Sequence, residues 1–214
     1  VQPGEMLWHI AQRYGTTTQA IIRENQIENP NLIYAGMQLR IPRAKPTIDV
    51  NAYTYQPSDE AVQSINDIGE LLTYISPFAY MIKEDGTLQA LDDQNMITAA
   101  ISNHVMPMLS ITNFTSTSTG SNLAHTILAN QELLEKLITN ILQVMDKKGY
   151  KALNIDFENV LPEDRENYNR FLQLTVDRLH PKGYLVSTAL APKTRATQGG
   201  TLYEAHDYEA HGRI

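Results

Sequence analysis

The stretch Lys151-Ala-Leu-Asn-Ile-Asp-Phe-Glu-Asn-Val160 carries polar side chains at every second position of an apolar run. Because side chains alternate across a β-strand, Asn154, Asp156 and Glu158 are predicted to project from one face. Buried carboxylates are unfavourable unless they are paired or used. Barrel enzymes place their chemistry at strand ends of this kind, where a helix follows, so the stretch predicts a hydrolase. The apolar residues are predicted to fill the opposite face: Leu153, Ile155 and Phe157.

Length and composition limit the alternatives. The chain has 214 residues, enough for one sizeable core and a small module, and it has no cysteine, which excludes disulfides. No apolar run approaches the roughly 20 residues of a membrane span. Residues 1–45 carry a net charge of +2 and residues 46–214 a net charge of −9. An acidic main body argues against a nucleic-acid partner and suits a neutral polymer such as a glycan.

Two parts are predicted along the chain, joined by a short linker at residues 44–47. In residues 1–43, a helical pattern begins after Gly4, and a second runs from Thr18 to Asn25. A short strand is predicted around Gln38 to Ile41. Such a helix–helix unit flanked by short strands is too small for a large core.

Residues 1–43 resemble a LysM domain, a glycan-binding module, through Pro3–Ala11, Asn25, Pro30–Ile33 and Ala35–Pro42. The family usually has Asp-Thr where this chain has Glu5-Met6, which predicts the loss of a helix N-cap. The first strand of the family is predicted to be truncated here. Trp8 lies inside the helical pattern and is predicted to pack in the core, with a stacking platform for a sugar as the alternative. The resemblance implies a shallow groove that binds N-acetylglucosamine units, formed by Gly4, Glu5, Met6, Pro30, Asn31, Leu32 and Ile33.

Residues 48–214 alternate between strand and helix patterns, which predicts parallel strands with right-handed crossovers. The clearest helices are Gln131–Lys147, with Asn130 as N-cap, and Glu163–His180. The predicted fold class is α/β: a (β/α)8 TIM-type barrel, of which about the first five β/α units are present, preceded by the small α+β module. A self-contained open sheet is the alternative. The predicted strands are Ile48–Tyr55, Tyr74–Ile82, Val105–Asn113, Ala152–Val160 and Leu185–Lys193.

The segment ending at Glu158 resembles glycoside hydrolase family 18, whose signature is Asp-Gly-x-Asp-x-Asp-x-Glu on the fourth strand. Of the five signature positions, only Asp156 and Glu158 keep the usual residue. Flanking segments resemble the spore cortex-lytic N-acetylglucosaminidases of spore-forming bacteria, which also carry LysM modules. The resemblance implies that the chain is truncated at both ends, with a first LysM module and the last three barrel strands outside it. The flanking segments are Gly149–Glu158, Pro162–Arg165, Ala189–Lys193 and His206–Gly212.

The resemblance implies substrate-assisted catalysis, in which the 2-acetamido oxygen of the sugar attacks the anomeric carbon. Glu158 is then expected to protonate the leaving oxygen, and Asp156 to orient and stabilise the acetamido group. A buried structural ion-pair cluster is the alternative. Asn154 replaces an acid of many relatives, which predicts an Asp156 that stays ionised over a wider pH range. The rule that links carboxylate spacing to stereochemistry does not apply to this mechanism.

Tyr53, Phe78, Tyr80 and Asn113 lie near the C-terminal ends of earlier strands and are candidates for substrate binding, with ordinary barrel packing as the alternative. A metal site is not predicted, because His206 and His211 are five residues apart and no His-Glu-x-x-His or cysteine cluster occurs. His206, Asp207 and His211 are expected to bond to backbone or to one another. No cofactor is predicted.

The predicted function is a secreted, cell-wall or spore-associated peptidoglycan hydrolase that cleaves β-1,4 bonds at N-acetylglucosamine in the spore cortex. The expected partner is peptidoglycan or another glycan that contains N-acetylglucosamine. One alternative is a chitinase-like hydrolase. The other is a non-catalytic glycan-binding protein on the same scaffold, against which the presence of Glu158 argues.

Overall fold

The structure is a computed structural model that describes residues 1–42, 48–195 and 197–214. It divides into two compact units, Val1–Ile48 and Asp49–Ile214. The predicted linker at residues 44–47 and the last residue of the predicted module, Arg43, lie outside the described residues.

The first unit contains helices α1 (Leu7–Arg13) and α2 (Thr18–Asn25). Thr17 caps α2, because its side chain accepts a hydrogen bond from the Ala20 amide. Met6 occupies the N-cap of α1 without a side-chain hydrogen bond, so the predicted loss of that cap is confirmed. The small core that unites the helices consists of Leu7, Ile10, Ala11 and Ile21.

The predicted strand at Gln38–Ile41 is wrong, because the structure shows no regular strand there. The Asn25 side chain takes the place of a strand partner: its Oδ1 accepts from the Arg40 amide at 2.7 Å, and its Nδ2 donates to the Arg40 carbonyl at 2.7 Å. Val1 pairs with the segment just before, since the Gly36 amide donates to the Val1 carbonyl at 3.0 Å. Side-chain bonding thus satisfies backbone groups that a strand ladder would otherwise pair.

The second unit alternates strands and helices around one sheet. All pairings between its strands are parallel, and the strand order along the main path is the order of the chain. The strands are β1 (Asn51–Thr54), β2 (Tyr74–Pro77), β3 (Tyr80–Met81), β4 (Met106–Thr112), β5 (Ala152–Asp156) and β6 (Leu185–Thr188). The helices are α3 (Asp59–Ile68), α4 (Gln94–Ser102), α5 (Ser121–Ala129), α6 (Gln131–Lys148), α7 (Arg165–Leu179) and α8 (Tyr208–His211).

A strand order that follows the chain distinguishes barrel topology from doubly wound sheets, in which the order reverses at a switch point. The path runs β1-β2-β4-β5-β6 without a reversal, and the short β3 pairs with β4. The α/β fold class predicted from the sequence is therefore confirmed. The strands themselves are shorter than predicted at their C-terminal ends, where the site residues lie.

The predicted strand Tyr74–Ile82 is divided into β2 and β3, and the two pieces differ in register. Tyr74 pairs with Met106, whereas Tyr80 pairs with Ile111. Between these pairs the β2–β3 segment advances one residue more than β4 does, as in a β-bulge. A shift of one residue moves side chains to the other face of a sheet, so Tyr80 lies on the face opposite to that of Ser76.

The main core lies between the sheet and helices α5, α6 and α7. Asn130 caps α6 as predicted, because its Oδ1 accepts from the amides of Glu132 and Leu133. Gly149, in the left-handed region at φ +89°, ends that helix. The predicted helix at Glu163–His180 is a short 3-10 turn, Pro162–Asp164, followed by α7 and a second 3-10 turn, His180–Lys182. The residues of α6 that the core buries are Leu134, Leu137, Ile138, Ile141, Leu142 and Met145.

Gly120, directly before α5, is held where no side chain fits. Its φ is +70°, and a Cβ built on it would lie 1.9 Å from the Asn113 carbonyl oxygen. Gly149 shares the left-handed backbone, but a Cβ there would meet nothing within 4 Å. The two glycines therefore separate the effect of backbone conformation from that of close approach.

We expect Gly149→Ala to lower the free energy of unfolding by about 1–2 kcal/mol, the usual penalty of the left-handed region. Gly120→Ala adds a backbone clash and should cost on the order of 3 kcal/mol or more. Urea unfolding of both variants measures the difference. Equal losses in the two variants would contradict the close approach at Gly120.

Candidate active site

The two faces of β5 have different surroundings, as the alternation predicts. Leu153, Ile155 and Phe157 are completely buried in the core. The ring of Phe157 stacks on Tyr168 and Phe171 of α7, with centroid distances of 5.8 and 5.5 Å. This burial directs Asn154 and Asp156 to the opposite face. The strand ends at Asp156, so Glu158 lies in the segment that follows it rather than within the predicted strand.

Asn154 forms part of a polar layer on the inner face of the sheet. Its Nδ2 donates to the Tyr53 hydroxyl at 2.9 Å and, at 3.5 Å, to the hydroxyl of Ser110. Its Oδ1 accepts from the Ser187 hydroxyl at 3.0 Å. Strands β1, β4, β5 and β6 thus contribute one side chain each to this layer. A signal for the two serines was present in the sequence: each is a small polar residue within an apolar strand pattern.

Asp156 is half-buried one step further toward the carboxyl end of the sheet. Burial, and secondly the charge of Glu158, raise the pKa of Asp156 to about 6. The charge of Asp156 in turn contributes to the raised pKa of Tyr53, after the larger effect of burial. The carboxylates are therefore close enough to interact, and the neutral Asn154 adds no third charge to the pair.

Glu158 is half-buried and lines an open cavity of about 360 Å³. Asn159 and the loop of residues 114–119, which follows β4, form the rest of the lining. A carboxyl group at the carboxyl end of a parallel sheet, exposed in a cavity, is positioned to exchange a proton with a bound molecule. The sequence did not predict the loop as part of the site, although Phe114 directly after a strand was a usable signal.

Asn113 is not placed as a substrate-binding residue. It is 3% exposed, and its side chain bonds to the backbone of Glu158: Oδ1 accepts from the Glu158 amide at 2.9 Å, and Nδ2 donates to the Glu158 carbonyl at 2.7 Å. The same Nδ2 also donates to the Gly120 carbonyl at 3.2 Å. These bonds engage both amide hydrogens and the oxygen, so the expectation of direct sugar binding by Asn113 is corrected.

Tyr53 and Phe78 form an aromatic group near the ends of β1 and β2. Their rings meet edge to face with centroids 5.8 Å apart, and Phe114 lies 6.1 Å from Phe78. Tyr53 is 46% exposed and Phe78 is half-buried, so both can be reached from solvent. Their predicted role in sugar binding stays a prediction, to which Phe114 is added.

Tyr80 is buried in the core and does not reach the inner face, so its predicted role in substrate binding is wrong. It is 1% exposed, and its hydroxyl donates to the buried Asp93 carboxylate at 2.7 Å. Tyr150 and Lys148 bond to the same carboxylate. The extra residue between β2 and β3 turns Tyr80 to the helix side of the sheet.

His206 bonds to backbone as predicted. The Ala191 amide donates to its Nδ1 at 3.0 Å, and its Nε2 lies 2.9 Å from the Phe157 carbonyl oxygen. Burial lowers the pKa of His206, which favours the neutral ring that this pattern requires. Asp207 bonds to Arg165 and to the Ala210 amide. His211 differs from the expectation: its buried ring nitrogens have no hydrogen-bond partner among the described residues, and its ring packs on Tyr168.

The first unit contains an open groove of about 580 Å³ beside α1 and α2. Trp8 also lines it and is 53% exposed, so its predicted place in the core is wrong. The helical pattern assigned Trp8 to a helix correctly, but the small core is filled by the other face of α1. Gly4 and Leu32 are not among the lining residues. Five residues predicted for glycan binding line the groove: Glu5, Met6, Pro30, Asn31 and Ile33.

None of the helices within residues 1–42, 48–195 and 197–214 has the length and apolarity that a membrane crossing requires.

We expect Asp156→Asn to stabilise the protein at high pH. The folded state holds the Asp156 proton up to a pKa of about 6, above the ordinary 3.8, so the ionised group costs stability increasingly as pH rises from about 4 to 6. With allowance for solvent screening, the gain above pH 6 is on the order of 1 kcal/mol, or about 2–4 °C in Tm. Thermal unfolding at pH 4 and pH 8 measures it. A variant that is less stable than wild type at pH 8 would contradict the raised pKa.

Known proteins match both the N-terminal segment and the chain as a whole. Residues 1–42 match the family model of the LysM domain. The cortical fragment-lytic enzyme of Bacillus subtilis (strain 168) is 36% identical in an alignment that covers all of this chain and 62% of the relative. The solved spore cortex-lytic enzyme SleL of Bacillus cereus is 36% identical, with a TM-score of 0.76, over all of this chain and 51% of that one.

More distant structures share the fold alone. The class V chitinase of Pseudomonas fluorescens Pf-5 is 20% identical, with a TM-score of 0.72, over 77% of this chain and 51% of that one. The chain spans about half the length of the relatives that it matches. The resemblance predicted from the sequence is confirmed: the chain carries a LysM domain, and as a whole it is similar to about half of a spore cortex-lytic enzyme.

Proposed function

We propose that this chain carries the catalytic acid and a glycan-binding module of a peptidoglycan hydrolase that acts on the spore cortex. The observation that carries the proposal is the pair Asp156 and Glu158 at the carboxyl end of β5. Glu158 lines an open cavity, and its charge helps to raise the pKa of Asp156 to about 6. The relatives named cortical fragment-lytic and cortex-lytic enzymes support this substrate class.

The proposed reaction cleaves β-1,4 bonds at N-acetylglucosamine. Glu158 donates its proton to the leaving glycosidic oxygen, while the 2-acetamido oxygen of the same sugar attacks the anomeric carbon. Asp156 orients the acetamido group and stabilises the positive charge that develops on it. Water then opens the cyclic intermediate with Glu158 as base. No enzyme nucleophile is needed, so the distance between the carboxylates does not predict the stereochemical outcome.

Asn154 precedes Asp156 on the same face of β5. Its neutral amide places no charge beside Asp156, and its hydrogen bonds to the hydroxyl groups of Tyr53 and Ser187 fix the position of its own side chain in the site. Tyr53 and Phe78, with Phe114, supply aromatic faces for the C–H surfaces of a sugar. Together these groups bind and orient the substrate around the two carboxylates.

The LysM groove is proposed to hold the enzyme on its polymer. Binding of the module raises the effective concentration of glycan at the catalytic unit without new catalytic contacts.

The proposed domains are a LysM module at residues 1–43, a linker at residues 44–47 and a catalytic unit at residues 48–214. The proposed location is spore-associated, or secreted to the cell wall. The acidic main body, with a net charge of −9 over residues 46–214, supports a glycan rather than a nucleic acid as partner.

Glu158→Gln in the full-length protein should abolish the release of reducing sugar from cortex fragments and leave binding unchanged. The amide keeps the size and contacts of the side chain but cannot donate the acidic proton, so a loss of at least about 100-fold in kcat is expected. Reducing-end assays and pull-down with insoluble cortex measure the two effects.

A matched control is Ser116→Ala, in the loop that lines the same cavity, which removes a polar group that is not a carboxyl and should leave the release of reducing sugar unchanged. Undiminished release by Glu158→Gln would remove Glu158 from the role of acid. Mass spectrometry of the products from cortex and from chitin oligomers, run in parallel, decides between the cortex hydrolase and the chitinase-like alternative. Binding without cleavage of either polymer by wild type would support the non-catalytic alternative.

Asn154→Asp should raise the pKa of Asp156 further, because a second carboxylate would lie two residues away on the same face. The acid limb of the pH–rate profile is expected to move to higher pH by up to about one unit. Asn154→Ser, which introduces no charge, is the control. Identical acid limbs for wild type and Asn154→Asp would reject the influence of residue 154 on Asp156.

A further inference from the structure

The segment that carries Glu158 lies beyond the hydrogen-bond ladder of the sheet. The ladder between β4 and β5 ends at the pair Thr112 and Asp156, and that between β5 and β6 ends at Ile155 and Thr188. The strand ladders therefore end before Phe157 and Glu158. Buried backbone groups need partners, and two side chains supply them for the Phe157 carbonyl and for the amide and carbonyl of Glu158.

Asn113 supplies the first side chain, from the end of β4. It bonds to both the amide and the carbonyl of Glu158, at 2.9 and 2.7 Å. Two bonds to one residue fix the orientation of its backbone as well as its distance. Asn113 is itself held, because its Nδ2 also donates to the carbonyl of Gly120, the glycine whose missing side chain permits that close approach.

His206 supplies the second side chain, from the other side of the segment. Nδ1 accepts a hydrogen bond from the Ala191 amide, so Nε2 must carry the ring proton. Nε2 therefore donates a hydrogen bond to the Phe157 carbonyl. The ring is 1% exposed, so water does not compete for these bonds. Ala191 follows β6, and His206 therefore joins the segment before Glu158 to the end of the next strand.

We propose that Asn113 and His206 act as a backbone clamp that positions the proton donor Glu158. Neither side chain contacts the sugar; each acts through the backbone of residues 157 and 158. This inference rests on the proposed function, in which Glu158 must meet the leaving oxygen at hydrogen-bond distance. A displacement of about 1 Å in a reacting group can cost about 100-fold in rate, so loss of either side chain should lower kcat with little change in KM.

Substitutions by similar side chains test each bond. In His206→Gln the amide nitrogen takes the place of Nε2 and should keep the bond to Phe157, whereas His206→Asn is too short to reach it. In Asn113→Asp the shape is kept but both donated bonds are lost. We expect kcat on cortex fragments to fall about 10- to 100-fold in His206→Asn and Asn113→Asp. His206→Gln should recover most of the wild-type kcat.

The control removes a buried hydrogen bond elsewhere in the same unit. Thr175, in α7, donates from its hydroxyl to the Phe171 carbonyl at 2.7 Å and is completely buried. Thr175→Val should lower Tm and leave kcat within about twofold. A fall in kcat that merely follows Tm across all four variants, with no difference between His206→Gln and His206→Asn, would overturn the clamp.

Hydrogen exchange gives a readout that does not depend on activity. The Glu158 amide should be strongly protected in wild type, and Asn113→Leu, which fills the same volume without polar atoms, should remove that protection. Fast exchange of this amide in wild type, or equal protection in Asn113→Leu, would refute the clamp even where a variant is too unstable for kinetics. An active Glu158→Gln enzyme would refute the proposed function instead, so the two failures are distinguishable.

Discussion

Burial of Phe157 against α7 is the constraint on which the candidate active site depends. The Phe157 ring stacks with those of Tyr168 and Phe171, and it is completely inaccessible to solvent. Since successive side chains of an extended chain point to opposite sides, fixing this ring also fixes the direction of Asp156. An apolar anchor on one side of the chain thus determines where the carboxylate lies on the other.

The polar face of β5 is tolerated because each of its groups has either hydrogen-bond partners or contact with solvent. The Asn154 amide is the most buried group of this face, and its nitrogen and oxygen bond to hydroxyl groups on β1 and β6. Asp156, one step higher, keeps partial contact with solvent, and its pKa rises only to about 6. Glu158 is highest and lines the cavity. The neutral amide is thus the most deeply buried of the three groups, whereas both carboxyl groups keep contact with solvent, which is the order that desolvation favours.

Much of this could be predicted from the sequence, because local rules and burial agree there. The alternation in residues 152–156, the Asn130 cap and the α2 bounds at Thr18 and Asn25 each follow from one period or one capping rule, and the structure confirms them. The parallel strand order followed from the repeated strand–helix pattern.

Where the predicted position of a residue was wrong, its true position depends on information that no local pattern contains. Tyr80 shares the spacing of a strand residue, but one extra residue before β3 reverses its face. Trp8 is hydrophobic and lies in a helix, but the opposite face of that helix fills the small core, so its side chain stays exposed. Asn113 bonds to a residue 45 positions away, and a side chain that replaces a strand partner has no sequence signature.

The exposed position of Trp8 also has an optical consequence. It is the only tryptophan among the 214 residues, and it lies in the first unit, whereas the second unit contains only tyrosine and phenylalanine as aromatic chromophores. Emission excited at the red edge of protein absorbance therefore originates from the small module alone. The wavelength and quenching of this emission describe the first unit selectively. Circular dichroism in the far ultraviolet is instead dominated by the longer helices of the second unit.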